Sequence, residues 1–248
     1  MVWLHTVIDV PADRLDAASA FWAAALGCPL GDPWAGHPEF RSLLPLTGDA
    51  YVHVQRVGSA RPGVHLDLEV DDLDAGVARL VALGATARNR EPAGAWQVLA
   101  SPGGLPVCVV AGRGDRVRPD GVDVGDGLRE RLVQVCIDAP ADAVDTEVAF
   151  WRAAIPGRWA KSTSEGLIGK LHPGAGSTVK LLFQRLGEDT GPVRAHVDLG
   201  TTDVPRDAER LEHLGAARVT DCGRWVVLQD AAEMVFCTTP NDPDEELV

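Results

Sequence analysis

Two stretches of the chain place a histidine two residues ahead of an aspartate inside an apolar run: His65-Leu66-Asp67-Leu68 and His196-Val197-Asp198-Leu199. On a strand, residues i and i+2 share a face, so each imidazole has a carboxylate beside it. Such a carboxylate fixes the imidazole's tautomer and raises its basicity, which suits a general base working without metal. Strand rise alone separates the pair by about 6.5–7 Å, long for a direct bond. The plainer alternative, a hydrogen-bonded pocket or core histidine, carries more weight. No Gly-x-Ser-x-Gly nucleophile motif and no phosphate loop occurs. Gly174-Ala175-Gly176-Ser177 precedes a strand pattern and reads as a hairpin turn. Cys108 and Cys136 lie in apolar runs and read as small core residues, and the five cysteines show no CxxC spacing.

The elements that carry these residues occur twice. Ile8-Asp9-Val10-Pro11-Ala12-Asp13 returns as Ile137-Asp138-Ala139-Pro140-Ala141-Asp142, and Phe21-Trp22 as Phe150-Trp151, both 129 positions on. Gln55-Arg56, Trp96 and Cys108 recur at the same spacing as Gln184-Arg185, Trp225 and Cys237. The His-x-Asp segments and Leu83-Gly84-Ala85 recur at 131. This is a tandem duplication. The expected boundaries are 1–111 for the first copy, 112–128 for a linker too poor in apolar residues to pack, 129–240 for the second copy, and 241–248 for a frayed acidic tail.

Within one copy, alternation and turn residues predict strands over 2–10, 39–45, 50–57, 63–70, 95–100 and 105–111. Leu15, Ala18, Phe21, Trp22, Ala25 and Leu26 have helical spacing behind Asp13 as N-cap, and Leu73, Val77, Leu80 and Leu83 behind Asp72. The order is β-α-β-β, done twice, an α+β fold. A sheet covered by helices on one face leaves its other face free to curl around a cavity. Alternation sets His5, Val7, Asp9, Gln55, His65, Asp67, Trp96 and Cys108 toward that cavity, and Leu66, Leu68 and Val109 toward the helices.

A net charge of −13 and the absence of a basic stripe argue against nucleic acid. No apolar run reaches the length of a membrane span, and the start lacks the regions of a signal peptide, so the expected location is the cytoplasm. The expected partner is a small molecule, with the chain a monomer or a homodimer.

Taken together, Ile8-Asp9-x-Pro11, Phe21-Trp22-x-x-x-Leu26-Gly27, Gln55-Arg56-Val57, His65-Leu66-Asp67-Leu68, Leu83-Gly84-Ala85 and Trp96-x-Val98-Leu99-x-Ser101-Pro102 resemble the glyoxalase-like branch of the vicinal oxygen chelate superfamily. The resemblance covers nearly all of both copies. It implies tandem glyoxalase/bleomycin-resistance-like domains, each a pair of βαβββ modules whose curled mixed sheets enclose a pocket. It also implies a divalent metal on the inner strands, held by a histidine or glutamine near the start of each half and a glutamate on the last strand. In the first copy His5 and His65 match, whereas Pro106 stands where the glutamate belongs; His53 and Gln55 are substitutes on a neighbouring strand. A neutral set of His5 and His65 with His53 or Gln55 suits zinc, nickel or iron(II). In the second copy the positions read Gln134, His196 and Val235, with Leu182 matching His53.

Two functions follow. The first is a sequestering or resistance-type small-molecule-binding protein with no cofactor, its ligand contacted by His5, Gln55, His65, Asp67, Trp96, Gln184, His196 and Trp225. Trp34 and Trp159 are further wall candidates, their aromatic faces suited to planar or cationic ligands. The second is a lyase, isomerase or dioxygenase-type enzyme with one divalent metal at His5, His53 and His65 of the first copy, or a metal-free acid–base site around His65. The degraded metal positions favour the first.

Overall fold

The computed structural model describes residues 3–112 and 114–245, and within them the sequence folds into two sheets, each backed by helices. The first copy runs β1 (Trp3–Pro11), α1 (Leu15–Ala25), β2 (Phe40–Ser42), β3 (Val52–Val57), β4 (Gly63–Val70), α2 (Leu73–Ala82), β5 (Thr86–Arg90), β6 (Trp96–Ala100) and β7 (Pro106–Ala111). Its strands are ordered β2-β3-β1-β4-β7-β6-β5. The middle is mixed: β1 runs parallel to β3 and antiparallel to β4, and β4 parallel to β7.

The second copy follows with β8 (Val122–Asp123), β9 (Arg129–Ala139), α3 (Val144–Ala154), β10 (Arg158–Lys161), β11 (Leu167–His172), β12 (Lys180–Arg185), β13 (Arg194–Thr201), α4 (Val204–His213), β14 (Ala217–Asp221), β15 (Val226–Gln229) and β16 (Val235–Thr239). Its order β10-β11-β12-β9-β13-β16-β15-β14 repeats that of the first from β11 onward, with β10 added at the edge and β8 beside β9. Both sheets are open rather than closed barrels. Among the described residues no helix is long and apolar enough to cross a membrane.

Alternation sorts β1 and β4 into two faces. Leu4, Ile8, Val10, Leu66 and Leu68 are buried in the core together with Leu80 of α2 and Val109 of β7. That core is continuous through both copies. Phe21 and Trp22 reach past their own sheet to Phe236 on β16, with the Trp22 and Phe236 rings 5.0 Å apart. Helical periodicity says that α1 has an apolar face, not which sheet will meet it. The exchange is reciprocal at the helix ends. Arg79 of α2 donates to the carbonyls of Ala153 and Ala154 at 3.2 and 2.7 Å, and Arg210 of α4 donates to those of Ala24 and Ala25 at 3.5 and 3.0 Å. Each guanidinium satisfies carbonyls that the last turn of a helix leaves open, at the negative end of its dipole.

The structure corrects several local expectations. Asp72 caps α2 through Ala75 N at 3.0 Å, and Asp203 caps α4 in the same way. Asp13 is no N-cap: Ala12–Arg14 form a 3-10 turn without a side-chain cap. β5 and β14 went unpredicted because all five residues of each are exposed edge positions without apolar alternation. The segment after the first copy packs after all. Arg116 pairs with Glu69, Val117 exchanges hydrogen bonds with Asp49, and β8 joins the second sheet. Residues 241–245 are tied down as well: Asp244 meets the Arg129 guanidinium, Pro243 O accepts from Arg131, and Glu245 reaches Lys180. Charge pairing anchors both segments where apolar area is lacking.

Candidate functional site

The inner face of the first sheet lines a cavity of about 940 Å³, within the roughly 300–1,000 Å³ usual for small-molecule sites. Of the face set by alternation, His5, Asp9, Gln55, His65, Asp67, Trp96 and Cys108 line it, as do His53 and Trp34. Val7 does not; it is fully buried.

The floor is built on three adjacent strands. β1 and β4 pair antiparallel, with Val7 opposite His65 and His5 opposite Asp67. This brings Asp9 diagonally within reach of His65, whose Nδ1 lies 2.9 Å from Asp9 Oδ2; its Nε2 lies 3.3 Å from Asp67 Oδ1. The cross-strand carboxylate, not the i+2 partner alone, closes the gap that strand rise leaves. Carboxylate oxygens face both ring nitrogens, an arrangement that favours the doubly protonated imidazolium. Burial opposes that charge, but the Asp9 carboxylate and the hydrogen bonds to Asp67 and Asp9 outweigh it and hold the His65 pKa well above 6.5. Burial would raise the Asp67 pKa, yet the hydrogen bond from His65 and its charge bring it below the usual value.

A second string of groups lies beside this one. His53 Nε2 and His5 Nδ1 are 2.9 Å apart, His5 Nε2 is 3.1 Å from Glu69 Oε2, and Glu69 accepts from Arg116. Burial and the neighbouring His5 lower the His53 pKa to about 3, so this ring is neutral. Its Nδ1 meets Ser42 Oγ at 2.9 Å, and Ser42 in turn accepts from the Trp34 indole at 3.0 Å.

The wall is aromatic. Trp34 and Phe40 stack at 4.9 Å and 16°, Trp96 stands edge-on to Phe40 at 5.9 Å, and His37 lies 4.6 Å from Trp96. His37, Phe40, Glu91 and Arg116 line the cavity without having been picked out in the sequence. Phe40 lies on a predicted strand but was not singled out, while His37, Glu91 and Arg116 come from loops and the inter-copy segment, which carry no periodic signal.

The second copy repeats the core of the floor. His196 Nδ1 lies 2.6 Å from Asp138 Oδ2 and Nε2 lies 3.4 Å from Asp198 Oδ1. Gln134, the match to His5, donates to Asp198. Gln184 lies by Cys136, its Oε1 3.7 Å from the thiol sulfur. Lys180 is buried on the strand beside Gln134, with its ammonium 2.5 Å from Glu245 and 3.5 Å from Asn241. Trp225 is 38% exposed just ahead of β15. Trp159 packs on Phe183 with Arg152 over its ring.

The residues expected to hold a metal are not brought together as one set. Among the described residues, the triads of donors lying within 4.8 Å of one another are His65–Asp67–Cys108, Cys136–Asp138–His196 and His196–Asp198–Cys237; His5 and His53 join none of them. Cys108, Cys136 and Cys237 therefore sit beside the histidines; alternation had set Cys108 on that face, whereas Cys136 and Cys237 were not picked out.

A family model described as a glyoxalase-like domain matches the chain twice, over residues 5–110 and 134–239. No curated protein sequence matches it. Among solved structures, the Mn(II)-bound glyoxalase from Novosphingobium aromaticivorans is similar with a TM-score of 0.65 and 19% identity, over 98% of this chain and 82% of that one. A variant of homoprotocatechuate 2,3-dioxygenase from B. fuscum gives 0.64 and 15%, over 96% and 71%. The 2,3-dioxygenase LapB from Pseudomonas sp. KL28 gives 0.60 and 14%, over 98% and 94%. At such identities the likeness is one of fold.

Proposed function

The chain belongs to the glyoxalase-like domain family, with two such domains in tandem, and we propose that its first copy is a binding cup for a small organic molecule that does not use the family's divalent metal. The observation that carries this reading is the engagement of both His65 nitrogens by Asp9 and Asp67. An imidazolium has no lone pair to give a metal. His196 stands in the same bracket between Asp138 and Asp198. Position 106 is a proline, which offers no side-chain donor, and Val235 occupies the matching place in the second copy. His5, the remaining match, is turned to His53 and Glu69. These residues do not fit a divalent ion at the family's positions. What remains is a roomy cavity with an aromatic wall and a rigid polar floor, the usual make-up of a ligand site.

The solved relatives named as a Mn(II)-bound glyoxalase and as 2,3-dioxygenases supply the competing reading, a metal-dependent enzyme. Elemental analysis of tag-free protein separates the two. We expect metal far below one ion per chain, together with an organic compound identified by mass spectrometry of natively purified protein. His65→Ala or Trp96→Ala should weaken rebinding of that compound. One tightly held ion per chain, lost in both His5→Ala and His65→Ala, would overturn the proposal in favour of a metal-dependent lyase, isomerase or dioxygenase.

A further inference from the structure

The cavity of the first copy is short of positive charge. Five carboxylates line it, those of Asp9, Asp49, Asp67, Glu69 and Glu91, against the one guanidinium of Arg116. Arg116 is already committed, with Nη2 3.0 Å from Glu69 and Nη1 3.6 Å from Asp49. Glu91 is turned to the Ala95 amide at 3.0 Å. Asp9 and Asp67 in turn share one cation, the imidazolium of His65, so carboxylates outnumber cations across the whole floor. Asp67 is only 8% exposed. Asp9 Oδ1 is buried without a hydrogen bond, and Asp67 Oδ1 has only the His65 ring, 3.3 Å away. A buried carboxylate oxygen left in that condition is costly until a donor or a cation meets it.

The duplicated copy is an internal control. Its Asp138–His196–Asp198 bracket has the same geometry, but that sheet carries its own cations. Lys180 is buried on β12 in register with Gln134, and Lys170 on β11 pairs with Leu182 and feels the charge of Asp198. The corresponding positions in the first copy are Tyr51, just ahead of β3 with its carbonyl accepting from Thr6 N, and Ser42, opposite His53. Both are neutral, and the Tyr51 hydroxyl is spent on the Leu132 carbonyl in the core. Lys180 is paired with Glu245, and Asp198 Oδ1 is buried without a hydrogen bond like its counterparts in the first copy, so the difference lies in the ammonium charge that the second sheet carries and the first lacks.

From this we infer that the first copy's cavity selects a planar organic cation, its ring against Trp34, Phe40 and Trp96 and its positive centre over Asp9 and Asp67. The inference rests on the small-molecule reading above and names the ligand class for that site. The stacked Trp34–Phe40 pair and the upright Trp96 offer both a flat surface and an edge to a ring, and aromatic faces attract cations as well. An anion meets five carboxylates and is excluded by like charge. A neutral ring gains the wall but leaves the charge of the two aspartates unmatched.

Three probes of one shape and different charge test this at neutral pH: 9-aminoacridine as the cation, acridine as the neutral ring and acridine-9-carboxylate as the anion, titrated against intrinsic tryptophan fluorescence and by calorimetry. The cation should bind at least about tenfold more tightly than acridine, with the anion weakest. Asp9→Asn and Asp67→Asn should each bring the cation-to-neutral ratio toward one, and Trp34→Ala should weaken both ligands. Using the ratio on the same protein sample separates lost charge from lost folding, and Asp9→Asn, at the less buried of the two sites, serves if Asp67→Asn does not fold. Equal binding of acridine and 9-aminoacridine overturns this inference while leaving the small-molecule cup in place, as does a ratio unchanged in the aspartate variants. Failure of all three to bind overturns both.

Discussion

Trp22 donates its indole N–H to Asp230 across 2.8 Å, joining a helix of the first copy to a turn of the second across 208 positions of sequence. The Trp22 ring is fully buried, and the same carboxylate accepts from the backbone N–H groups of Ala232 and Met234 at 2.8 and 2.9 Å. Asp230→Ala should therefore cost about 3 kcal/mol, since it strands three buried donors at once. Trp22→Ala should cost about 3–5 kcal/mol through the cavity it leaves. Because the core runs through both copies, urea unfolding should remain one transition, with fluorescence and circular dichroism coincident. Two separated transitions in the parent protein would contradict a shared core.

The two reciprocal arginines should differ in weight. Arg79 serves carbonyls at the end of α3 near the surface, and Arg79→Ala should cost about 1 kcal/mol. Arg210 does the same for α1 but also holds Glu130 and Asp207, both wholly buried. Arg210→Ala leaves two buried carboxylates facing each other and should cost about 3–5 kcal/mol. Equal losses by chemical denaturation would show that the carboxylate pair does not depend on the arginine.

The histidines should give stability a pH dependence with two limbs. At His65 burial is outweighed by Asp9 and Asp67, and at His196 burial is outweighed by Cys136, Asp138 and Asp198, so both rings have pKa values well above 6.5. A raised pKa gives stability that is complete below the unfolded value of about 6.5 and is lost as pH climbs through the folded value. The alkaline limb should fall by about 1.4 kcal/mol per pH unit for each imidazolium over that window. His53 works in the opposite sense: burial and His5 depress it to about 3, so its contribution is present above about 6.5 and is lost as pH drops toward 3. His196→Asn should flatten the alkaline limb and His53→Asn the acid limb, as measured by denaturation at a series of pH values. A pH profile unchanged in either variant would refute the corresponding assignment.

Truncation after Pro240 should destabilise the protein, not merely trim it. It removes the Asp244 fork on Arg129, the Pro243 carbonyl from Arg131 and the Glu245 carboxylate from Lys180. Arg131 and Lys180 are 4% and 3% exposed, so each is left as a buried cation short of partners. A loss of about 3 kcal/mol or more is expected, read as a lower urea midpoint. A truncated chain as stable as the full one would restore the picture of a frayed tail.

The duplication, most of the strands and helices, and the inner face of β1 and β4 were legible in the sequence. Each is a local or periodic property: a repeat is read by comparison, a face by alternation. What only the tertiary structure decided is who meets whom. Sequence placed His65 beside Asp67 at too great a spacing, and strand register supplied Asp9 from 56 positions away. Trp96 and Trp225 occupy matching places in the repeat, yet one lines a cavity and the other is exposed. Glu91 and Arg116 reach the same cavity from segments with no periodic signal, and α1 packs on the neighbouring copy's β16. These pairings depend on register, on loop closure and on where charge can be matched in the interior, quantities set by the whole chain at once and by no window of it.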